Sequence, residues 1–296
     1  MARQLSFLPQ QEKIVNVACV PLRSPFRYPG GKTWLVPQIR QWLASLPAKP
    51  QDFIEPFAGG GIVGLTVAFE NLAAHVTLVE LDQQIAAVWK TIIAGDGEWL
   101  ADRIIKFRFS PETVAAELEK TNLSTPEQAF QTILKNRVNR GGILAPGAGK
   151  VKHGENGKGL ASRWYAETLS LRIRKIVAIR DRLTFIEGDG LAALNQNSPR
   201  TDAVFFIDPP YTAGGKSAGS RLYTHFELNH DELFKISSKL AGDFLMTYNN
   251  DEDVQKLAQI YNLAVKEIAM KNTHHAKMTE LLIGRNLDWA NCPAAN

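Results

Sequence analysis

Five apolar residues, Ala203 to Ile207, run straight into Asp208-Pro209-Pro210-Tyr211, and no other stretch restricts the fold as tightly. An uninterrupted apolar run closed by turn residues is the pattern of a strand covered on both faces. Two consecutive prolines, with fixed φ and no N–H, let neither strand nor helix continue. The chain is therefore held rigid just past the carboxyl end of a central strand, where open α/β sheets place their ligand crevices. Asp208 and the Pro209 carbonyl can accept both hydrogens of an exocyclic amine, and Tyr211 can stack on the ring that carries it. Taken alone, the same residues also suit a strand that simply ends in a stiff corner.

A second site signal lies upstream. Asp52 to Phe57 reads as a strand, Gly59-Gly60-Gly61 as a turn and Ile62 to Asn71 as a helix. Gly59, Gly61 and Gly64 satisfy G-x-G-x-x-G, the turn whose missing side chains let backbone approach a nucleotide. A strand from Val76 to Val79 ends at Glu80, a carboxylate placed to accept from ribose hydroxyls. This pattern suits any adenosine-bearing cofactor and does not separate a nicotinamide from a sulfonium. Pro29-Gly30-Gly31 forms a tight turn, and Lys32 opens a helix through Leu46 that Pro37 is expected to kink. Further strands are predicted over Thr184 to Glu187, which ends at Gly188-Asp189, and over Asp243 to Tyr248. Leu263 to Met270 and Glu280 to Gly284 complete the set. Asn229 is expected to cap a helix running to Leu240.

Between a helix over Asp82 to Ala94 and another over Trp164 to Arg182, the βα rhythm fails. Residues 95 to 175 offer a helical segment around Pro126 to Lys135 but no buried strand. Lys135 to Arg182 holds 12 Lys/Arg against 3 Asp/Glu, so with a net charge of +4 overall the remainder of the chain is acidic. A cation-rich excursion on a mildly acidic body points to a polyphosphate partner. Lys150, Lys152, Lys158 and Arg163 lie within it. Lys216 and Arg221 sit in the small-residue stretch Thr212 to Leu222, which has the composition of a mobile loop.

Several classes are disfavoured. No run of about 18 apolar residues exists, so no membrane span is expected, and Met1 to Pro9 lacks the regions of a signal peptide. Cys19 and Cys292 are the only cysteines. Without Cys/His spacing of metal type, neither a disulfide frame nor a metal site is expected, and a reducing cytoplasm fits. His274-His275 reads as a solvated turn.

RYPGGK, FIEPFAGGG, the basic insertion and DPPY stand in one order, and together they resemble the Dam-type α group of DNA adenine-N6-methyltransferases over roughly residues 25 to 250. The resemblance implies an α/β fold: a Rossmann-like seven-stranded mixed sheet with helices on both faces. It implies a discontinuous catalytic domain (1–94 and 176–296) carrying an inserted target-recognition region at 95–175. It implies S-adenosyl-L-methionine, held by Tyr28, Pro29, Gly30, Gly31 and Lys32. Glu55, Pro56, Phe57, Ala58, Gly59, Gly60 and Gly61 would form the turn beside it. Glu80 and Leu81 would serve the ribose, Asp189 and Gly190 the adenine end, and Asp208 would border the donor. Asp208, Pro209, Pro210 and Tyr211 match the residues that hold a flipped-out adenine. Asn136, Arg137 and Arg140 match the start of the DNA-recognition hairpin. The partner implied is double-stranded DNA, in a bacterial or phage setting, and whether a cognate restriction endonuclease accompanies it stays open. Most of the insertion matches no assignable target sequence.

Three alternatives remain at this point, one of them a catalytically idle nucleic-acid-binding module, against which the complete set of donor and acceptor motifs argues. The same pocket logic serves a methyltransferase acting on the cytosine 4-amino group or an RNA base, although DPPY favours adenine over SPPY or NPPY. A nicotinamide-dependent oxidoreductase would share the glycines, but no Tyr-x-x-x-Lys pair or hydride-handling histidine is apparent, and the basic insertion would go unexplained.

Overall fold

The structure, a computed structural model, describes residues 20–28, 30–154, 157–210, 227–271 and 277–291. Tyr211, Lys216, Arg221, Pro29, both cysteines and His274-His275 lie outside them.

Seven strands form one sheet: β1 (Asp52–Glu55), β2 (His75–Glu80), β3 (Leu183–Glu187), β4 (Ala203–Ile207), β5 (Phe244–Asn249), β6 (Ala264–Lys271) and β7 (Lys277–Gly284). Their spatial order is β3-β2-β1-β4-β5-β7-β6. The first five are parallel, and β7 runs antiparallel between β5 and β6. From β1 the chain crosses outward to β2 and β3, then returns to lay β4 on the other side of β1. The carboxyl ends of β1 and β4 are thus a topological switch point, where a crevice must open. Register makes the neighbours explicit: Ile54 of β1 is opposite Phe205 of β4.

The apolar run of β4 is buried throughout. Val204 and Phe206 join one core cluster, while Ala203, Phe205 and Ile207 join the other. Each phenylalanine contributes about 1.5–3 kcal/mol by leaving water. That symmetry explains why no polar alternation interrupts the sequence here.

Helices cover both faces: α1 (Val36–Ser45), α2 (Ile62–Phe69), α3 (Gln83–Ala94), α4 (Gly97–Lys106), α5 (Pro111–Leu118), α6 (Thr125–Val138), α7 (Ala166–Val177), α8 (Gly190–Asn197), α9 (His230–Lys239) and α10 (Glu252–Ile260). Pro37 kinks nothing. It sits in the first turn of α1, where a missing N–H is harmless. Lys32–Leu35 is a separate 3₁₀ turn ahead of that helix. β1 stops at Glu55, two residues earlier than expected, because Pro56 ends the ladder. Asn229 does cap α9, accepting from the Glu232 N–H at 3.0 Å.

Residues 97–138 do not stand apart from the sheet domain. Leu100, Ile104, Phe130, Ile133 and Leu134 belong to the same core cluster as Val76 and Leu78 of β2. Phe107, Phe109, Phe130 and Trp164 form an aromatic group with ring centroids 5.2–6.5 Å apart, and the Arg103 guanidinium lies 4.6 Å from the Phe130 centroid. Among the described residues, the irregular part of the excursion is confined to 139–154 and 157–165. No described helix is long and apolar enough to cross a membrane. Among the described residues, no group of three or more His, Cys, Asp or Glu is placed to hold a metal ion.

Candidate active site

β1 delivers the glycine turn to the crevice. Gly59 and Gly61 have φ of +47° and +60°, a region that glycine enters without penalty. A Cβ at Gly59 would stand 2.6 Å from the Tyr28 ring, so this glycine makes room for a protein aromatic. The turn is tied on three sides. The Gly59 N–H donates to Glu80 Oε2 at 2.8 Å, Trp89 Nε1 donates to the Gly59 carbonyl at 2.9 Å, and Ser24 Oγ donates to the Gly60 carbonyl at 2.5 Å. Gly64 lies inside α2, and its N–H donates to Glu55 Oε2 at 2.8 Å. A Cβ there would come within 2.6 Å of that same oxygen.

Four carboxyl groups occupy strand ends around the turn. Glu55 is buried, and its pKa is pushed up to about 8, first by desolvation and then by Asp208 and Glu80 nearby, against the opposing Gly64 hydrogen bond and Lys32. Glu80 is also pushed up by burial, while accepting from the N–H groups of Gly59, Leu81 and Asp82. Three of its roughly four acceptor positions are thereby used, leaving room for about one further donor. Asp189 caps α8 by accepting from the Ala192 N–H at 2.8 Å. Asp208, the fourth, follows β4 directly.

The neighbourhood of Asp208 adds contacts that the sequence did not indicate. Lys32, expected at the cofactor, is 3 % exposed and places Nζ 3.0 Å from Asp208 Oδ1 and 3.6 Å from Glu280 Oε2. Thr247 Oγ1 donates to the same Asp208 oxygen at 2.8 Å. Thr247 follows Met246, the β5 residue opposite Ile207 at the end of β4, and only register could have revealed it. Behind it the buried Tyr248 hydroxyl is paired with His230 Nδ1 at 2.8 Å. Burial and Asp208 hold the Tyr248 pKa well above its ordinary value.

These pieces enclose one cavity of about 440 Å³. Tyr28, Gly30, Gly31 and Lys32 line it together with Glu55, Pro56, Phe57, Ala58, Gly60 and Gly61. Glu80, Leu81, Asp189, Gly190, Asp208, Pro209 and Pro210 complete the predicted lining. Gly59 is not part of that lining.

The predicted DNA contacts divide. Arg140, Lys150, Lys152 and Lys158 are exposed around the irregular excursion. Asn136 is fully buried and cannot face a duplex. Its Oδ1 accepts from the Arg27 N–H at 2.8 Å, and its Nδ2 donates to the Arg27 and Gly142 carbonyls at 2.8 and 2.6 Å. Arg137, 4 % exposed, also turns inward, donating to the Pro25 carbonyl and lining the cavity. Its pKa is lowered to about 9, chiefly by burial and then by Arg172, Arg27 and Arg163. Arg163 lines the cavity too. Composition singled out basic residues here, but it cannot tell an inward arginine from an outward one. Ser24 carried no sequence signal, while Arg27 stands in RYPGGK and Arg172 in the basic stretch without either being singled out as a cavity residue.

Residues 28–140 match the family model described as D12 class N6 adenine-specific DNA methyltransferase. This is the family whose motifs the sequence resembles, and the match supports methyl transfer by an adenine-specific enzyme of that kind. No curated protein matches the chain. Among solved structures, a protein of Escherichia coli described as a methyltransferase shares 12% identity, covering 85% of this chain and 88% of that one at a TM-score of 0.36. One of Pyrococcus horikoshii described as an RNA methyltransferase shares 10%, covering 88% and 84% at 0.38. The precorrin-6y C5,15-methyltransferase of Geobacter metallireducens shares 8%, covering 84% and 86% at 0.34.

Proposed function

We propose that this chain methylates the 6-amino group of an adenine turned out of duplex DNA, with S-adenosyl-L-methionine as donor. One observation carries the reading: Asp208, held by Lys32 and Thr247, opens onto the same cavity as the glycine turn and Glu80. An acceptor-lined corner and a nucleotide-type turn therefore share one enclosed space.

The residues present fit the donor. A cavity of about 440 Å³ is within the ordinary range for a small-molecule site. Carboxyl groups at strand ends suit a ribose, an adenine amine and a cationic sulfonium. When bound, S-adenosylmethionine supplies a methyl group already activated on sulfur.

The chain's own work is positioning. A base inside the helix cannot present its amine edge, and turning it out costs a few kcal/mol. Tyr211, by its place after the two prolines, is assigned the stacking role, worth about 1–3 kcal/mol per base. Asp208 and the Pro209 carbonyl accept the two amine hydrogens, drawing the lone pair out of conjugation with the ring and aiming it at the methyl group. Alignment of this kind accounts for much of the rate when a good leaving group is present. Lys32 holds the Asp208 carboxylate in place. Residues 139–163, with Arg140, Lys150, Lys152 and Lys158 outward, are assigned to target recognition. The segments 1–94 and 176–296 are assigned to catalysis.

Incubation of the protein with DNA, RNA and labelled donor, followed by mass spectrometry of the nucleosides, tests this directly. N6-methyladenine from DNA is expected, and 4-methylcytosine or a methylated ribonucleoside would replace the reading. Asp208→Ala should abolish transfer while donor affinity stays within a few-fold. Asp208→Asn, which keeps the shape, guards against a loss that merely reflects misfolding.

A further inference from the structure

We propose that Arg137 and Arg172, in a group completed by Arg27 and Arg163, form an anchor for the α-carboxylate of the donor's methionine part. The inference rests on the donor assigned above and identifies what this wall of the cavity recognises.

The four side chains reach the cavity from three places: Arg27 from the segment before Tyr28, Arg137 from the last turn of α6, and Arg163 and Arg172 from in front of and within α7. Arg137 is 4 % exposed, and its Nε has no hydrogen-bond partner. No described carboxylate lies within 4 Å of Arg137 or Arg172. A buried guanidinium without a counter-ion is a costly arrangement, made worse by three like charges close enough to depress its pKa. A planar carboxylate matches the guanidinium fork, and its charge would relieve the repulsion within the group.

Two features favour a small ligand's carboxylate over a DNA phosphate. The exposure of Arg137 is too low for a duplex backbone to reach it, whereas a ligand inside the cavity meets it directly. The arginines are also tied to the glycine turn. Arg137 donates to the Pro25 carbonyl, Arg172 donates to the Ser24 carbonyl at 3.3 Å, and Ser24 Oγ bonds Gly60. The four guanidiniums cluster in the lining, whereas its other cation, Lys32, is paired with Asp208 among the strand-end carboxyls. A ligand with a cationic sulfonium and a terminal carboxylate would be oriented by that arrangement.

Calorimetry with S-adenosylhomocysteine and its decarboxylated analogue tests the proposal without turnover. The intact protein should lose on the order of 10–100-fold in affinity when the carboxylate is removed, as for a charge-assisted pair. Arg137→Met and Arg172→Met should weaken S-adenosylhomocysteine by a similar factor yet leave the decarboxylated analogue within about two-fold. Equal affinity of both ligands for the intact protein would overturn the inference. So would a variant that weakens both alike, which would make the arginines a support for residues 24–25. A DNA-binding salt slope reduced by about one in Arg172→Met would reassign that guanidinium to a phosphate and overturn it as well. Failure of the intact protein to bind either ligand would instead remove the donor reading itself.

Discussion

The Lys32 ammonium and the Asp208 carboxylate stand 3.0 Å apart, joining the turn before α1 to the end of β4. The first is buried and the second retains 21 % side-chain exposure, so the pair is shielded on one side and open to the cavity on the other. A carboxylate so tethered presents its acceptor in one orientation, as the proposed alignment of an amine would require. The pair also links the two ends of the family's motif order, which lie 176 residues apart in the numbering.

Lys32→Met should therefore impair chemistry more than donor binding. Removing one partner of a buried pair costs about 3–5 kcal/mol, and the low end applies because Asp208 keeps some water. Urea unfolding should register that loss. Single-turnover methyl transfer should fall by at least 100-fold while donor affinity changes by less than about ten-fold. A variant with normal single-turnover rates would mean that Lys32 does not position Asp208.

Glu55 predicts a pH dependence of stability. Its pKa is raised to about 8 in the folded chain from an ordinary 4.5, so between those values the folded state binds more protons than the unfolded state. Stability must then fall as pH rises across that window, by at most about 1.4 kcal/mol per pH unit, and level off above pH 8. Glu55→Gln keeps an acceptor for the Gly64 N–H and should flatten this slope. Superimposable pH profiles of unfolding free energy for the two proteins would contradict the assignment.

Asn136 ties the segment carrying Tyr28 to the turn after α6. Asn136→Ala would leave the Arg27 N–H, the Arg27 carbonyl and the Gly142 carbonyl to find other partners. A cost of roughly 2–3 kcal/mol follows from stranding buried polar groups. Donor affinity should drop along with thermal stability, because Tyr28 lines the cavity proposed for the donor. An unchanged melting temperature would show that the three hydrogen bonds are not needed.

Outward and inward cations should separate in salt titrations. Replacing Lys150, Lys152 and Lys158 by Gln should reduce the salt slope of DNA binding by about one unit for each phosphate contact removed. Donor affinity should stay unchanged, since none of the three lines the cavity. An unaltered slope would move the DNA surface away from residues 139–163.

Much of the frame was written into local sequence. A run of five apolar residues followed by Asp208 and two prolines fits a covered strand that stops abruptly, and the glycine turn and the acids at strand ends follow equally local rules. The seven strands were therefore legible, with bounds shifted by one to three residues. What pairing alone settled was which strand ends meet. β4 lies against β1 because the chain reverses direction in the sheet, and that reversal puts Asp208 beside a turn some 150 residues earlier. Side-chain direction was likewise a tertiary matter. Asn136 and Arg137 look like outward DNA contacts in the sequence, yet packing turns both of them inward. Polarity alone cannot reveal this, because whether a charged group faces water or a cavity depends on neighbours supplied by distant parts of the chain.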